Sequence, residues 1–264
     1  MKIYHYTTIE TLALILKNKT IRFNRLDKVD DLEEGSVAPM GIKLGHYAYI
    51  SCWTESEEEN IPLWKMYATG SSGIRITFDF EPFKDYEIRS TQEVTIENSP
   101  CYWKLPLSEV MNPNYFIFPW FQGDTFYRKV LYVNNVIDQT KDIITEENGS
   151  TNISFKKIGS YKHTRWAFQL ESRFILIALP KINGLSYSSQ NFSDWLLYAI
   201  HNNIKPPFDY YDLPLRDSAL STLEITLTPA ATICQKIIVQ SLINEYAPKA
   251  ILKDSNLMGS VNLK

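Results

Sequence analysis

The chain is poor in the features that mark several large classes of protein. Only three of its 264 residues are cysteines, and Cys52, Cys101 and Cys234 have neither disulfide-framework nor zinc-ligand spacing. Such sparse cysteines suit a reducing compartment, so a cytoplasmic location is predicted. No apolar run approaches the roughly 20 residues that a membrane helix needs, and the N-terminus shows no apolar signal region. No association with a membrane is therefore expected.

The sequence also lacks an excess of positive charge and the usual nucleotide-binding loops. A net charge of −3 excludes a globally basic nucleic-acid binder but leaves a local basic groove open. Neither G-x-G-x-x-G nor G-x-x-x-x-G-K-[ST] occurs, which disfavours Rossmann and P-loop enzymes. A G-x-S-x-G elbow is absent as well, so Ser51 and Cys52 have no recognisable partner for nucleophilic catalysis.

The patterns that are present predict an α+β chain. With hydrophobic residues at 44% and charged residues at 22%, a well-developed core is expected. The predicted strands cover residues 3–6, 20–24, 47–53, 74–80, 87–96, 166–179 and 223–227. The predicted helices cover residues 8–18, a short segment opened by Pro62, 126–146, 193–203 and 230–246. Regular βαβ crossovers are lacking, so we expect one domain over residues 1–264, with a mixed or antiparallel central sheet flanked by helices.

Residues 166–179, W-A-F-Q-L-E-S-R-F-I-L-I-A-L, form an apolar run with polar residues at alternate positions. Side chains alternate along a strand, so one face is expected to carry Gln169, Glu171 and Arg173. The other face is expected to carry Phe168, Leu170 and Phe174. A buried carboxylate is costly unless it is paired, and such groups gather at functional sites. The two interpretations are a site residue and a Glu171–Arg173 ion pair on a half-exposed strand.

Two acidic runs and one basic run are predicted to be solvated surface. The first acidic run contains Asp30, Asp31, Glu33 and Glu34 but lacks the ligand spacing of a calcium loop, so no metal site is predicted. The second acidic run covers residues 55–59. The basic residues between Phe155 and Trp166 are Lys156, Lys157, Lys162, His163 and Arg165. Phosphate binding is the alternative for this basic run, because it directly precedes the polar-faced strand.

Aromatic and imidazole groups supply a second set of candidates. His5 lies on the first predicted strand, where it could bind a ribose or phosphate near a helix N-terminus. The alternative is a histidine whose hydrogen bonds are satisfied within the sheet. Trp64 and Tyr67 are one helical turn apart and, like Trp53, are either core residues or a stacking platform for a heteroaromatic ring.

Read in order, several segments resemble a bacterial family known as domain of unknown function family 2971. They are Y-H-Y-T-T at 4–8, I-L-K-N-K at 15–19, D-D-L-E-E at 30–34, S-C-W-T-E at 51–55, L-W-K-M-Y-A at 63–68, G-I-R-I-T-F at 73–78 and W-A-F-Q-L-E-S-R at 166–173. Two positions depart from that family. Its acidic loop usually reads asparagine-aspartate-proline where this chain has Asp30-Asp31-Leu32, and it more often has glutamate at the position of Gln169.

The order of elements is also similar to the ADP-ribosyltransferase fold, which binds NAD. This resemblance implies that His5 holds a ribose hydroxyl, Thr7 supports the nicotinamide end, and Tyr67 or Trp53 stacks on nicotinamide. Glu171 would stabilise an oxocarbenium-like transition state, and Gln169 would orient the acceptor. The other residues that the resemblance assigns to the cofactor pocket are Tyr6, Ser51 and Arg173.

Three functions follow as expectations. The first is an NAD-dependent ADP-ribosyltransferase-like bacterial protein, such as a toxin or phage-defence effector, acting on a protein or nucleic-acid acceptor. The second is a non-catalytic module of the same fold that binds a nucleotide or a protein. The third is a metal-dependent protein that processes nucleic acid through the acidic and basic runs. A shared cleft for His5, Tyr67 and Glu171 is the geometry expected for the first function.

Overall fold

A computed structural model describes residues 1–35, 42–68, 70–90, 100–118, 126–147, 150–182 and 192–263. The strands are β1 (Lys2–Thr8), β2 (Thr20–Arg25), β3 (Ala48–Thr54), β4 (Gly73–Asp79), β5 (Tyr86–Ile88), β6 (Cys101–Trp103), β7 (Tyr115–Ile117), β8 (Tyr127–Lys129), β9 (Leu131–Val133), β10 (Ile144–Glu147), β11 (Ser150–Ile153), β12 (Tyr161–His163), β13 (Glu171–Pro180), β14 (Tyr210–Pro214), β15 (Glu224–Leu227) and β16 (Ile251–Lys253). The α-helices are α1 (Ile9–Asn18), α2 (Leu32–Gly35), α3 (Ile61–Tyr67), α4 (Leu107–Val110), α5 (Val136–Thr140), α6 (Phe192–His201), α7 (Asp217–Ser221) and α8 (Ile233–Tyr246).

The main sheet has the strand order β14-β2-β3-β1-β4-β15-β16, and β13 joins it by pairing with β3, β7 and β8. All these pairs are antiparallel except β15–β16, which is parallel. The predicted α+β class with a mixed sheet is thereby confirmed, and the predicted strands at residues 3–6, 47–53, 74–80 and 166–179 join the main sheet as β1, β3, β4 and β13. No helix among the described residues is both long and apolar enough to cross a bilayer.

The helices beside the site begin where the sequence places a cap. The Thr8 side chain accepts a hydrogen bond from the backbone N–H of Thr11 at 3.3 Å and starts α1. Asn60 does the same for α3, accepting from the N–H of Leu63 at 3.1 Å, with a proline in the first turn. α1 follows β1 directly, whereas six residues separate β3 from α3, and α3 packs on β1 through Trp64 and Tyr6.

The two faces of the main sheet carry different residues because side chains alternate along each strand. One face, which we call the α1 face, carries Ile3, Trp53 and Phe174 in a core cluster with the buried residues of α1. The opposite face carries Cys52, Thr54, Glu171 and Arg173, since the register pairs Glu171 with Thr54 and Arg173 with Cys52. We call it the cavity face.

A fork opens in the sheet beside β3. Both β1 and β2 pair with the same edge of β3, β2 at Tyr49 and Ile50 and β1 at Thr54 alone. The stretch of that edge between these contacts has no strand partner in the register. A fork of this kind exposes backbone groups that side chains or a ligand must satisfy.

The strand predicted for residues 166–179 begins five residues later than expected. Residues Thr164–Gln169 form a 3-10 helix, and Leu170 has a left-handed backbone with φ 46° before β13 starts at Glu171. The His163 side chain accepts a hydrogen bond from the N–H of Arg165 and starts that helix, which competes with extension of the strand. Phe168 and Leu170, predicted to face the core, are instead exposed.

In the middle of the chain, the structure differs from two further predictions. The helix predicted for residues 126–146 is wrong: the segment forms β8, β9 and part of β10, and only Val136–Thr140 is helical. Its strands pair with distant residues, as β8 does with β13, so local pattern could not reveal them. Of the strand predicted for residues 87–96, Tyr86–Ile88 is β5, and residues 91–99 lie outside the described part.

Candidate functional site

A cavity of about 310 Å³ lies on the cavity face beside the fork. Its buried wall carries Lys162, Gln169, Glu171 and Arg173, and α3 contributes Tyr67. Its open side carries the exposed residues Arg22, Asn24, Lys28 and Asp30. His5 also lines this cavity, so the structure brings together His5, Tyr67 and Glu171 in the predicted shared cleft. Their chemical roles stay predictions.

Glu171 is the most constrained of these side chains. Its Oε1 accepts a hydrogen bond from Arg173 Nε at 2.6 Å, and its Oε2 accepts one from Lys162 Nζ at 3.0 Å. The backbone N–H of Glu171 donates to the hydroxyl of Tyr132 at 2.8 Å. Both carboxylate oxygens and the main chain are therefore held, so contacts within the protein fix the position of this carboxylate.

Arg173 connects the sheet to α2. It is 0% exposed, and its Nη1 and Nη2 donate to the two carboxylate oxygens of Glu34 at 2.6 and 2.9 Å. Nη1 also donates to the carbonyl oxygen of Gly159 at 3.0 Å. This bidentate geometry is the strong form of a charge-assisted contact. Arg173 lines the cavity and its guanidinium joins Glu34 to Glu171, while its predicted contact with a cofactor stays a prediction.

Lys162 extends the same network toward α3. Its ammonium donates to Gln169 Oε1 at 2.7 Å as well as to Glu171, and it lies 4.8 Å from the ring centroid of Trp166. Gln169 Nε2 in turn donates to the hydroxyl of Tyr67 at 2.8 Å. The four charges of Lys162, Arg173, Glu34 and Glu171 sum to zero, which limits the cost of burying them.

The network sets the protonation of its members. Burial tends to raise the pKa of Glu171, but the charges of Arg173 and Lys162 outweigh it and lower that pKa to about 2. Glu34 is paired with one cation only, and burial raises its pKa above the usual value. For Arg173, burial opposes the charged form, yet both carboxylates hold its pKa well above the usual value. Glu171 is therefore ionised at neutral pH.

His5 lies at the fork between β1 and β3. Its Nδ1 is 2.8 Å from the carbonyl oxygen of Cys52, which is in the unpaired stretch of β3. A carbonyl can only accept, so Nδ1 carries the proton and donates it. Burial lowers the pKa of His5, so the ring is neutral and Nε2 is an acceptor. His5 thus forms a hydrogen bond within the sheet, which agrees with the alternative interpretation of this residue. Its Nε2 remains an acceptor.

Of three further predicted site residues, Ser51 and Trp53 line the cavity and Thr7 does not. Trp53 and Ser51 are on the α1 face, where Trp53 Nε1 donates to Ser51 Oγ at 2.9 Å and the indole packs against Phe78 and Phe174. Trp53 is 3% exposed, lines the cavity and has its ring 5.1 Å from that of His5, so its stacking on a ligand stays a prediction. Thr7 is buried outside the cavity lining. Parity along a strand shows which residues share a face, but beside the fork residues of both parities line the cavity.

Tyr6 does line the cavity, but its hydroxyl is already engaged. It accepts a hydrogen bond from the backbone N–H of Asn60 at 2.9 Å, and its ring meets Trp64 edge-on at 4.8 Å. Tyr6 therefore anchors the start of α3. Trp64, predicted as an alternative stacking residue, is fully buried there and is not in the cavity lining.

Two site residues were assigned to solvated surface by sequence. The acidic run was predicted to be exposed, yet Glu34 and Asp31 are buried, and Glu34 is paired with Arg173. Lys162 was placed in an exposed basic run, yet it is 5% exposed and bound to Glu171. The only sequence signal for Lys162 was its position just before the polar-faced strand.

No group of three or more histidine, cysteine or acidic side chains that could hold a metal occurs within the described residues. Comparisons with models of known protein families, with curated proteins and with solved structures find no match to this chain. No relative therefore assigns a function to this chain, and the geometry of the cavity is what indicates one.

Proposed function

We propose that the cavity binds a nucleotide and that the protein is an NAD-using, ADP-ribosyltransferase-like bacterial protein. The observation that carries this proposal is an ionised Glu171 in the buried wall of a ligand-sized cavity. A carboxylate whose pKa is strongly shifted by named partners in a cleft is a candidate functional group.

The size of the cavity indicates which part of NAD it takes. Ligand pockets span about 300–1,000 Å³, so a cavity of about 310 Å³ has room for one nucleoside portion of a dinucleotide. The remainder then lies at the open side, where Arg22 and Lys28 are exposed. Arg22 is already bonded to Asp212 at 2.9 Å, whereas Lys28 has no ion pair within the described ranges and can meet a phosphate.

Glu171 supports bond cleavage by its charge. When the bond between ribose C1′ and the nicotinamide nitrogen breaks, its electron pair goes to that nitrogen and positive charge develops on the ribose. A preorganised carboxylate stabilises this charge more than it stabilises the ground state. The acceptor, a protein or nucleic-acid nucleophile, then bonds to C1′ and loses its proton. Transfer to a macromolecule is the activity expected of a toxin or phage-defence effector.

A non-catalytic nucleotide-binding module is the second candidate, and one observation favours it. Both oxygens of Glu171 are engaged by Arg173 and Lys162, so their charges offset its own. If this pairing persists when a ligand is bound, the carboxylate helps to shape the cavity but gives little electrostatic stabilisation to a positive charge that develops on the ribose.

The two candidates are separated by measuring NAD binding by calorimetry and nicotinamide release on the same preparations. For the transferase we expect Glu171→Gln to keep NAD binding but to lower nicotinamide release by about 100-fold or more, the scale of losing one preorganised contact. Toxicity on expression should fall in parallel. The matched control is Glu245→Gln, an exposed glutamate on α8.

Each other outcome has a definite meaning. Binding of NAD without nicotinamide release by the wild type would select the binding module. Absence of both would reject NAD as the ligand. A Glu171→Gln variant with a lower melting temperature and unchanged release per folded molecule would leave Glu171 as an ion-pair partner only.

A further inference from the structure

The hydrogen bonds around Gln169 have only one possible direction. The ammonium of Lys162 has donors and no acceptor, so the Gln169 atom at 2.7 Å from it must be the amide oxygen. The amide nitrogen therefore faces Tyr67 and donates to its hydroxyl oxygen at 2.8 Å. Lys162 thus determines the orientation of Gln169, and Gln169 determines that of the Tyr67 hydroxyl.

The direction of these hydrogen bonds leaves the Tyr67 hydroxyl with a proton to donate. Its oxygen already accepts from Gln169, and burial raises the pKa of the phenol, so the hydroxyl stays protonated at neutral pH. The carboxylate of Asp30, exposed at the open side, lines the same cavity as Tyr67, and its charge also raises the pKa of that phenol. The wall therefore presents one O–H donor beside one carboxylate acceptor.

We propose that Tyr67 and Asp30 form a subsite for a primary carboxamide, with Lys162 and Gln169 as the positioning residues. The amide oxygen of the ligand takes the proton of Tyr67, and the amide N–H donates to Asp30. An anionic oxygen is disfavoured at the same place because Asp30 repels it. This inference depends on the proposed function: in NAD the carboxamide is that of nicotinamide, and the hydroxyl of Tyr67, not its ring, recognises it.

The first test compares the affinities of the wild type for two dinucleotides. NAD and nicotinic acid adenine dinucleotide differ only in having a carboxamide or a carboxylate on the pyridine ring. We expect the wild type to bind NAD at least about tenfold more tightly by calorimetry, since the acid loses a donor and meets a like charge. Asp30→Asn should remove most of this preference. Equal affinity of the wild type for the two dinucleotides would overturn the subsite.

The second test removes the Tyr67 hydroxyl and, separately, reverses the direction of its hydrogen bond with Gln169. Tyr67→Phe should weaken NAD binding by about three- to tenfold, the scale of one hydrogen bond, while Tyr102→Phe on an exposed tyrosine should not. Gln169→Glu offers Tyr67 an acceptor in place of a donor, so the hydroxyl turns away from the ligand. If both changes act through the same proton, the double variant binds NAD no more weakly than whichever single variant has the lower affinity for NAD.

The outcomes separate this inference from the function on which it depends. If the wild type binds no NAD, the proposed function fails and the subsite with it. If NAD binds but the carboxylate analogue binds equally well and Tyr67→Phe has no effect, only the subsite is wrong. If the effects of Tyr67→Phe and Gln169→Glu simply add, Gln169 does not direct the Tyr67 proton. Melting temperatures of all variants check that each one is folded.

Discussion

Glu171 shows how one residue can be both structural and a candidate for chemistry. Its carboxylate is 6% exposed and meets two cations, so its ionised form is favoured by neighbours and disfavoured by burial. Breaking a buried pair is costly because it leaves a charge without compensation. A change at this position is therefore expected to alter stability and activity together, and the two must be measured on the same preparation.

The dependence of stability on pH tests the state of Glu171. Its folded-state pKa of about 2 lies below the usual 4.5, so ionised Glu171 stabilises the fold above pH 4.5 and this contribution is lost as the pH falls toward 2. The full contribution is on the order of 3 kcal/mol. Glu34, whose pKa is raised, has the opposite sign and loses its contribution as the pH rises.

We therefore expect the difference in unfolding free energy between the wild type and Glu171→Gln to shrink by about 2 kcal/mol from pH 7 to pH 3. Urea unfolding of both proteins at both pH values measures it. A difference that is the same at pH 7 and pH 3 would mean that Glu171 is not held by charge.

Among the elements, the short 3-10 helix before β13 has the greatest consequence for the site. It turns the chain so that Gln169 meets Lys162 and Tyr67, while Glu171 begins a strand fixed on β3 by seven register pairs. The turn requires a left-handed conformation at Leu170, which is costly for a residue with a side chain. Thr54 Oγ1 donates to the Leu170 carbonyl at 2.9 Å and holds the turn.

Replacing Leu170 with glycine should raise the unfolding free energy by about 0.5–1 kcal/mol, because glycine adopts φ 46° without steric cost. Leu170→Ala is the matched control: it removes the same exposed side chain but keeps the Cβ and the strain. Thermal or urea unfolding of the pair isolates the backbone effect. Equal stability of the two variants would show that the turn is unstrained.

At the scale of the whole molecule, Arg173 joins segments that are far apart in sequence. It connects Glu34 on α2, the carbonyl of Gly159 and Glu171 on the main sheet, so the wall that carries Lys28 and Asp30 is fastened to β13. Loss of this one side chain leaves two buried carboxylates facing each other.

We expect Arg173→Met to lower the unfolding free energy by about 3–5 kcal/mol, the cost of leaving a buried charge unpaired. The control is Arg22→Met, which breaks the partly exposed pair with Asp212 and should cost about 0–1 kcal/mol. Urea unfolding at pH 7 measures both. A loss below about 1 kcal/mol for Arg173→Met would mean that the network contributes little net stability.

The sequence by itself determined those features that depend on neighbouring residues. The start of α1, the proline that opens α3, the strand β4 and the common face of Glu171 and Arg173 follow from local hydrogen bonds, the fixed backbone of proline and a period of two. These interactions span a few residues, so their partners can be read directly along the chain.

Tertiary structure alone decided which charges are buried and which face meets the cavity. Glu34 lies 139 residues from Arg173, and no pattern around it separates it from its exposed neighbour Glu33. Lys162 likewise looks like any other lysine of a basic run until Glu171 and Gln169 come within 3.0 Å of it. The energy of a charge depends on what surrounds it in three dimensions, which the spacing of residues along the chain does not show.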